Sequence, residues 1–404
     1  MKNWKRLAAL LLSGALALSL CACGDGGAGP SGEESGGPDA SASPAPTLAV
    51  DLSQDILAYS AGLSAGDALL TVNGTDIPAD LVLYWVAMSC SNFMTQYGAY
   101  GVRLSDQAAD GSGAYAGRMV DSAVEIAAYN TLLRQKAAEL GCLPTDAQVE
   151  SARASLTQNG EEGYQLMRDA FGLSGESMEY LTLTNAYYDN VLDALIPAPG
   201  EEALNNYVYQ VKHILLLTVD MEGGRVQLPD GSYGYPALPA EKVAEQRALA
   251  ADLLVQLLAA DDLGAKFDEL MHQYSQDSGL ASNPDGYTAV PGDMVAPFEK
   301  AAFALKPGEV SGIVESEYGY HILLRGEVDD LQSYAGDCRQ YQLDQQLAPL
   351  AQEAECTRAA ALDGLDVAGF YEKYAAYQNA LVAQRQSGDA PEATLGPVES
   401  DAAG

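Results

Sequence analysis

The chain has 404 residues, with 56 aspartate and glutamate residues against 21 lysine and arginine residues. The formal net charge of −35 argues against nucleic acid as a partner, because phosphates require a basic surface, and against electrostatic adhesion to anionic lipid. With three histidines in the whole chain and none within helical reach of a cysteine, the sequence also argues against a zinc site and indicates no cofactor.

The N-terminus has the pattern of a secretory signal. Lysine and arginine residues precede an apolar run at 7–20, which is too short to span a bilayer, and small residues and cysteines follow it. This stretch resembles the bacterial lipoprotein signal, in which a cysteine three places after a leucine becomes diacylated. The resemblance implies lipidation of Cys23, since a cut before Cys21 would leave bulky Leu20 at the cleavage site. We therefore predict a signal peptide at 1–22 and a lipid anchor as the main membrane contact.

Two further segments lack the apolar content needed to form a core. Residues 23–48 are rich in glycine, serine, proline and alanine, and the tail at 387–404 has a similar composition. Such segments cannot bury enough apolar surface to offset the entropy of ordering. They are predicted to be a flexible linker and a disordered tail.

The remaining chain shows three successive patterns. Residues 49–206 are predicted to be mainly helical after a short opening strand, and Thr145 and Gln148 have capping-box spacing. Residues 207–328 combine strands and helices without regular βαβ alternation, which indicates an α+β domain with an antiparallel sheet. Helical periodicity returns at 329–386. Since a lone C-terminal helix pair has little core to bury, the two helical arms are expected to pack as one chaperone-like domain.

Four cysteines lie beyond the predicted anchor. The spacings of Cys90, Cys142, Cys338 and Cys356 match no metal motif and no compact disulfide framework. An exported protein can form disulfides, so their redox state stays open. They are predicted to be structural thiols in helices.

Two histidines occur in similar apolar runs, VKHILL at 211–216 and YGYHILL at 318–324. Because side chains alternate along a strand, His213 and His321 can project from one face of a sheet if the two strands are adjacent. The alternative is two unrelated core histidines, each bonded to backbone. Spacing alone leaves both interpretations open.

The segments between the two histidines carry a resemblance. VKHILL, FDELMHQYSQDSG and GDMVAPFEKAAFALKPGEVSGIVESEYGYHILLR occur in this order over 211–326 and together resemble the parvulin family of peptidyl-prolyl cis-trans isomerases. The helical arms and the predicted anchor are similar in layout to PrsA-type foldases. The resemblance implies an antiparallel four-stranded sheet with surrounding helices, inserted between the arms.

The resemblance also implies a catalytic set. It places His213 and His321 at the centre, with Asp277 where the family has Cys or Asp. Ser316 falls where the family commonly has a threonine whose hydroxyl bonds the histidine pair. The alternatives are that Asp277 caps a turn and that Ser316 is a surface hydroxyl.

Met294 and Phe298 correspond to the floor and wall of the family's proline pocket, with ordinary core packing as the alternative. One departure is the segment NPDGY at 283–287, which stands in place of the glycine-rich segment common in parvulins, so one pocket wall is expected to be rebuilt. The third histidine, His272, matches no functional position of the family and is expected to be exposed on a helix.

The resemblance implies an isomerase that acts on X-Pro bonds of unfolded or partly folded exported polypeptides, at the outer face of the bacterial membrane. Phosphorylated substrates are disfavoured, because the loop after the first strand offers acidic Asp220 and Glu222 and a single Arg225. One alternative is a peptide-binding chaperone with weak or no isomerase activity; another is a lipoprotein with a structural or ligand-binding role. A homodimer is left open.

Overall fold

The computed structural model describes residues 50–108, 111, 113–227 and 233–387. The predicted signal peptide, Cys23, the linker and the tail beyond Ser387 lie outside these residues. The helices and strands follow in the order α1 Ile56–Ala61, β1 Ala68–Val72, β2 Thr75–Pro78, α2 Ala79–Tyr97, α3 Tyr115–Leu140, α4 Asp146–Leu156, α5 Gly160–Phe171, α6 Gly175–Leu195, α7 Glu201–Asn205, β3 Tyr209–Leu217, β4 Val226–Gln227, β5 Tyr233–Gly234, α8 Ala240–Leu258, α9 Leu263–Tyr274, β6 Tyr287–Ala289, α10 Ala296–Ala304, β7 Val314–Glu315, β8 Gly319–Gly326, α11 Ala335–Glu353, β9 Cys356–Arg358, α12 Ala360–Asp363 and α13 Val367–Gln386.

The chain divides into two compact units. Leu195–Gln345 forms one, called here the insert unit, and the chain before and after it forms the other, called here the arm unit. The predicted fold class is confirmed, since an α+β unit with an antiparallel four-stranded sheet interrupts two helical arms that belong together. The insert unit extends beyond the predicted range 207–328, because Leu204 and Cys338 share a buried cluster next to its sheet.

In the arm unit, segments from before and after the insert unit contribute to one small sheet. The strands β1 and β2 form a hairpin whose turn residues Asn73 and Gly74 both have positive φ, as a two-residue hairpin turn requires. The C-terminal strand β9 then pairs antiparallel with the other edge of β1. The strand β9 has three residues, too few for a periodic pattern in the sequence to reveal it.

The arm core is built from α2 and α3 and closed by the C-terminal α13. Tyr374 on α13 is buried, and its hydroxyl donates to the Phe171 carbonyl at 3.1 Å. The predicted capping box of α4 is present, since the Gln148 amide donates to Thr145 Oγ1 and the Thr145 amide donates to Gln148 Oε1. No helix in the described part of the chain is long and apolar enough to cross a membrane.

The sheet of the insert unit has the strand order β6-β3-β8-β7, with every neighbouring pair antiparallel. One face, which includes Ile214 and Ile322, is buried against α8 and α9. The other face, which includes Val211 and Leu323, is buried against α10. The period-2 alternation of β3 and β8 therefore places His213 on the α10 side of the sheet.

The four cysteines are free thiols. Cys90 and Cys338 are buried in helices as predicted, and burial raises the pKa of the Cys90 thiol to about 12. The helical prediction is wrong for the other two, since Cys142 follows the end of α3 and exposed Cys356 opens β9. Cys142 follows Gly141, at which α3 has ended, and Cys356 lies after the end of α11.

Candidate active site

The long central pairing of the sheet brings two histidines together. The register pairs His213 with Leu323 and His321 with Leu215, so the imidazoles are diagonal neighbours on one face. Their rings are nearly parallel, with an interplanar angle of 15°, and the two Nδ1 atoms are 3.4 Å apart. His213 is 9% exposed and His321 is 3% exposed. The pair therefore forms a largely desolvated centre.

Asp277 is held against His213 by the chain that follows α9. The Gln276 amide donates to the Leu215 carbonyl at 2.8 Å, and the Leu215 amide donates to Ser275 Oγ at 3.1 Å. These bonds fasten the segment to the edge of β3 beyond the short strand β6. Asp277 Oδ2 then lies 3.0 Å from His213 Nε2, and Oδ1 accepts the Gly279 amide at 3.0 Å. The carboxylate thus caps a turn and contacts the histidine at the same time.

Ser316 meets His321 from the turn between β7 and β8. Its Oγ lies 2.7 Å from His321 Nε2 and accepts the Tyr318 amide at 3.1 Å. The turn requires glycine at its end, because Gly319 has φ of 152° and a Cβ there would collide with the Leu216 carbonyl oxygen. The backbone of this turn therefore fixes the serine hydroxyl against the imidazole.

With both histidines neutral and Asp277 ionised, these contacts allow one set of proton positions. Asp277 accepts from His213 Nε2–H, which leaves His213 Nδ1 as an acceptor for His321 Nδ1–H. His321 Nε2 then accepts the proton of the Ser316 hydroxyl. In this assignment both histidines are neutral and every donor and acceptor is satisfied.

The central link of this chain is its longest. The Nδ1 to Nδ1 distance of 3.4 Å exceeds the usual range for nitrogen donors, whereas the contacts to Asp277 and Ser316 lie within it. Each imidazole is therefore oriented mainly by its outer partner, Asp277 for His213 and Ser316 for His321.

Electrostatics favour ionised Asp277 and uncharged His321 at neutral pH. The hydrogen bond from His213 is the largest cause that holds the pKa of Asp277 far below its usual range, and Tyr287 and the Gly279 amide add to it. Burial lowers the pKa of His321 to about 4, and His213 contributes in the same direction. Asp277 is therefore ionised and His321 uncharged.

An apolar floor lies beneath the histidines. Phe298 on α10 is 2% exposed, and its ring meets both imidazoles edge-on, at centroid distances of 5.2 Å from His213 and 5.4 Å from His321. Met294 is partly buried and packs against the same cluster. The structure thus places the two predicted pocket residues on the side of the sheet that carries both histidines.

Residues 235–327 match the family described as Rotamase, PPIC-type PPIASE domain. The match contains Asp277, Met294, Phe298, Ser316 and His321. The chain carries a parvulin-type peptidyl-prolyl isomerase domain. The first of the two predicted site histidines, His213, precedes the matched range and lies next to His321 through the β3–β8 pairing.

Relatives of the parvulin domain are foldases and chaperones by name. A stretch of 73 residues is 47% identical to the foldase protein PrsA of Bacillus subtilis and covers 17% of this chain and 25% of that protein. A stretch of 74 residues is 45% identical to the chaperone SurA of Thiobacillus denitrificans and covers 18% of this chain and 17% of that protein. The matches thus span a quarter or less of these relatives' own length.

Among solved structures, the peptidylprolyl isomerase PrsA from Bacillus cereus is similar over a longer range. The likeness covers 77% of this chain and 99% of that one, at 18% identity and a TM-score of 0.35.

One residue that contacts the predicted site residues was not identified from the sequence. The hydroxyl of Tyr287 donates to Asp277 Oδ2 at 2.6 Å, and its ring meets His213 edge-on. Tyr287 ends the segment NPDGY, whose departure from the family pattern was the available signal. The third histidine, His272, is exposed on α9. Among the residues described, no group of three histidine, cysteine or carboxylate side chains could hold a metal ion.

Proposed function

We propose that the chain is a peptidyl-prolyl cis-trans isomerase that assists the folding of exported proteins. The observation that carries the proposal is the continuous series of contacts from Ser316 through His321 and His213 to Asp277, within a parvulin-type domain. The proposal gives catalytic roles to these four residues and a substrate-binding role to Met294 and Phe298.

The chemistry fits a reaction without covalent intermediates. An X-Pro bond resists rotation with a barrier of ~18–20 kcal/mol because amide resonance must be broken. An isomerase has to bind the twisted amide more tightly than the planar one. In the proposed mechanism the apolar side chains hold the pyrrolidine ring, and the fixed hydrogen-bonding groups stabilise the changing charge of the carbonyl and the proline nitrogen. Neutral imidazoles suit this task, since no proton has to leave the substrate.

An isomerisation assay with the full chain and an Ala-Pro peptide tests the proposal. The chain should accelerate exchange between the cis and trans peptide well above the uncatalysed rate. His272→Ala serves as the matched control, because it removes an exposed histidine of the same domain and should retain full activity. A wild-type protein that folds but leaves the exchange rate unchanged would contradict the proposal.

A second candidate function is a chaperone with weak or no isomerase activity. A cavity of about 530 Å³ in the arm unit favours it, with a lining that includes Ile77, Pro78, Leu81, Arg134 and Tyr180. The Arg134 guanidinium stacks on the Tyr180 ring at 3.4 Å, and Asp76, Asp80 and Glu176 also line the cavity, so it combines apolar, aromatic and charged surface suited to an unfolded segment. Suppression of client aggregation by the same preparation, without faster isomerisation, would favour this candidate.

The proposed division of labour follows the predicted domains. Residues 207–328 would isomerise X-Pro bonds, and the arms at 49–206 and 329–386 would hold unfolded or partly folded clients. We further propose that the protein acts at the outer face of the cell membrane. The relatives named as a foldase and a chaperone support a folding role, and the signal pattern at 1–22 supports export.

The proposed lipid anchor predicts a specific labelling result. Cells that express the full chain with radiolabelled palmitate should yield labelled protein, because Cys23 would be acylated. The Cys23→Ala variant should remain unlabelled, whereas the control Cys90→Ala, which removes a buried thiol, should be labelled like the wild type. Persistent labelling of the Cys23→Ala protein would contradict the assignment of Cys23 and indicate Cys21 as the acylated residue.

A further inference from the structure

The segment that departs from the parvulin pattern reaches directly into the site. Gly286 has φ of 90°, and a Cβ there would collide with the Val211 carbonyl oxygen, so glycine is required where this segment enters β6. Tyr287 follows immediately and pairs with Val211 on β3, two residues before His213. The backbone therefore places the Tyr287 side chain next to the first histidine, on the same face of the sheet.

The Tyr287 hydroxyl and the His213 imidazole converge on one oxygen. The hydroxyl donates to Asp277 Oδ2 at 2.6 Å, and His213 Nε2 lies 3.0 Å from the same atom. The other carboxylate oxygen accepts the Gly279 amide. Room for the hydroxyl depends on Gly279, because a Cβ there would collide with the tyrosine oxygen. The hydrogen bond from Tyr287 to Asp277 thus requires both the NPDGY segment, which supplies the tyrosine, and Gly279, which leaves space for its hydroxyl.

We infer that Tyr287 is a positioning residue of the isomerase site, acting through Asp277 to fix the orientation and tautomer of His213. This inference rests on the proposed function for its effect on catalysis. A carboxylate with three donors is held ionised and in one rotamer, so it can only accept a hydrogen bond from His213, which must therefore carry a proton on Nε2. His213 Nδ1 must then be the acceptor that faces His321. Burial, followed by the bond to Asp277, raises the pKa of Tyr287 to about 12, so its hydroxyl stays a donor at neutral pH.

The variant Tyr287→Phe removes the hydroxyl and keeps the ring that packs on His213. We expect kcat/KM to fall about tenfold, which corresponds to about 1.4 kcal/mol of lost transition-state stabilisation, because the hydroxyl that positions the carboxylate is gone. We also expect the pKa of the Asp277 carboxyl, followed by carbon NMR, to rise by about one unit. The control is Tyr274→Phe, which removes a hydroxyl from α9 on the opposite face of the sheet and should change neither quantity.

Imidazole nitrogen NMR gives a readout that is independent of activity. The chain has three histidines, and exposed His272 provides an internal reference. In the wild type, His213 should show the Nε2–H tautomer; in Tyr287→Phe, signals of the other tautomer should appear. This experiment separates the isomerase function from the positioning role of Tyr287. If the wild type is inactive but Tyr287→Phe still changes the His213 tautomer, the proposed function is wrong and the positioning role stands.

A double-mutant cycle completes the test. Gly279→Ala should displace the hydroxyl and reproduce the effects of Tyr287→Phe on the carboxyl pKa and on the His213 tautomer. The two substitutions should be non-additive in the double variant, since both remove the same bond. If Tyr287→Phe leaves the Asp277 pKa and the His213 tautomer as in the wild type, Tyr287 serves packing alone and the inference is overturned.

Discussion

Replacement of Asp277 by asparagine should lower kcat/KM for an Ala-Pro peptide on the order of 10²-fold, while the protein stays folded. Three donors point at this carboxylate, from Tyr287, His213 and the Gly279 amide. An asparagine of the same shape offers one acceptor oxygen, and its NH₂ group must face one of these donors. The substitution therefore changes the direction of hydrogen bonds without removing volume.

The consequences should extend along the whole series of contacts. If the NH₂ group faces His213, this histidine must present an unprotonated Nε2 and carry its proton on Nδ1. That proton then opposes the Nδ1–H of His321, so His321 must move its own proton to Nε2. Ser316 finally has to accept where it previously donated. A substitution of Asp277 thus reverses hydrogen bonds as far as Ser316, because each histidine and the serine hydroxyl have few alternative partners.

Two measurements check this prediction. Steady-state isomerisation should show the loss in kcat/KM, and imidazole nitrogen NMR should show loss of the Nε2–H tautomer of His213. The control is Asp252→Asn, which makes the same change of charge at an exposed position of α8, where the carboxylate accepts a hydrogen bond from Gln256 of the same helix. Equal activity of the Asp277→Asn variant and this control would contradict a role for Asp277 in catalysis.

Much of this arrangement could be predicted because it depends on local periodicity and on the order of motifs. Alternation along a strand is enough to place His213 and Leu215 on one face, whereas the register of the two adjacent strands, which pairs His321 with Leu215, decides that His321 lies on the same face. The position of Asp277 beside the pair came from the resemblance to a family. The positions of short strands could not be predicted in this way, since β2 and β9 are too brief to show a period.

The remaining features depend on distances that only the folded chain defines. Tyr287 lies ten residues from Asp277 in sequence, and its hydroxyl reaches the carboxylate because Gly286 and Gly279 leave room for it. No composition or spacing rule indicates that contact. The extent of the insert unit has a similar origin: Leu204 and Cys338 belong to it because they are buried together, although both lie in segments with a helical pattern like that of the arms.

The buried position of His321 predicts that the insert unit loses stability in mild acid. Burial lowers the pKa of His321 from its ordinary value of 6.5 to about 4. Between these values the unfolded chain binds a proton that the folded unit does not bind, so the free energy of unfolding rises with pH in this window. At 1.36 kcal/mol per pKa unit, the loss between neutral pH and about pH 4 is on the order of 3 kcal/mol. The pKa of Asp277 is lowered as well, so its contribution is lost only at more acidic pH, below the ordinary range of a carboxyl group.

Urea unfolding at several pH values, followed by resolved amide signals of β3 and β8, measures this dependence within the full chain. Other carboxyl groups also titrate near pH 4, so the decisive quantity is the difference between variants. His321→Gln removes the titrating group and should reduce the drop in unfolding free energy by about 2–3 kcal/mol. His272→Gln should leave the drop unchanged, because that histidine is exposed. If wild type and His321→Gln lose the same free energy between neutral and mildly acid pH, His321 is not held neutral by burial, and the assignment of an uncharged histidine pair is wrong.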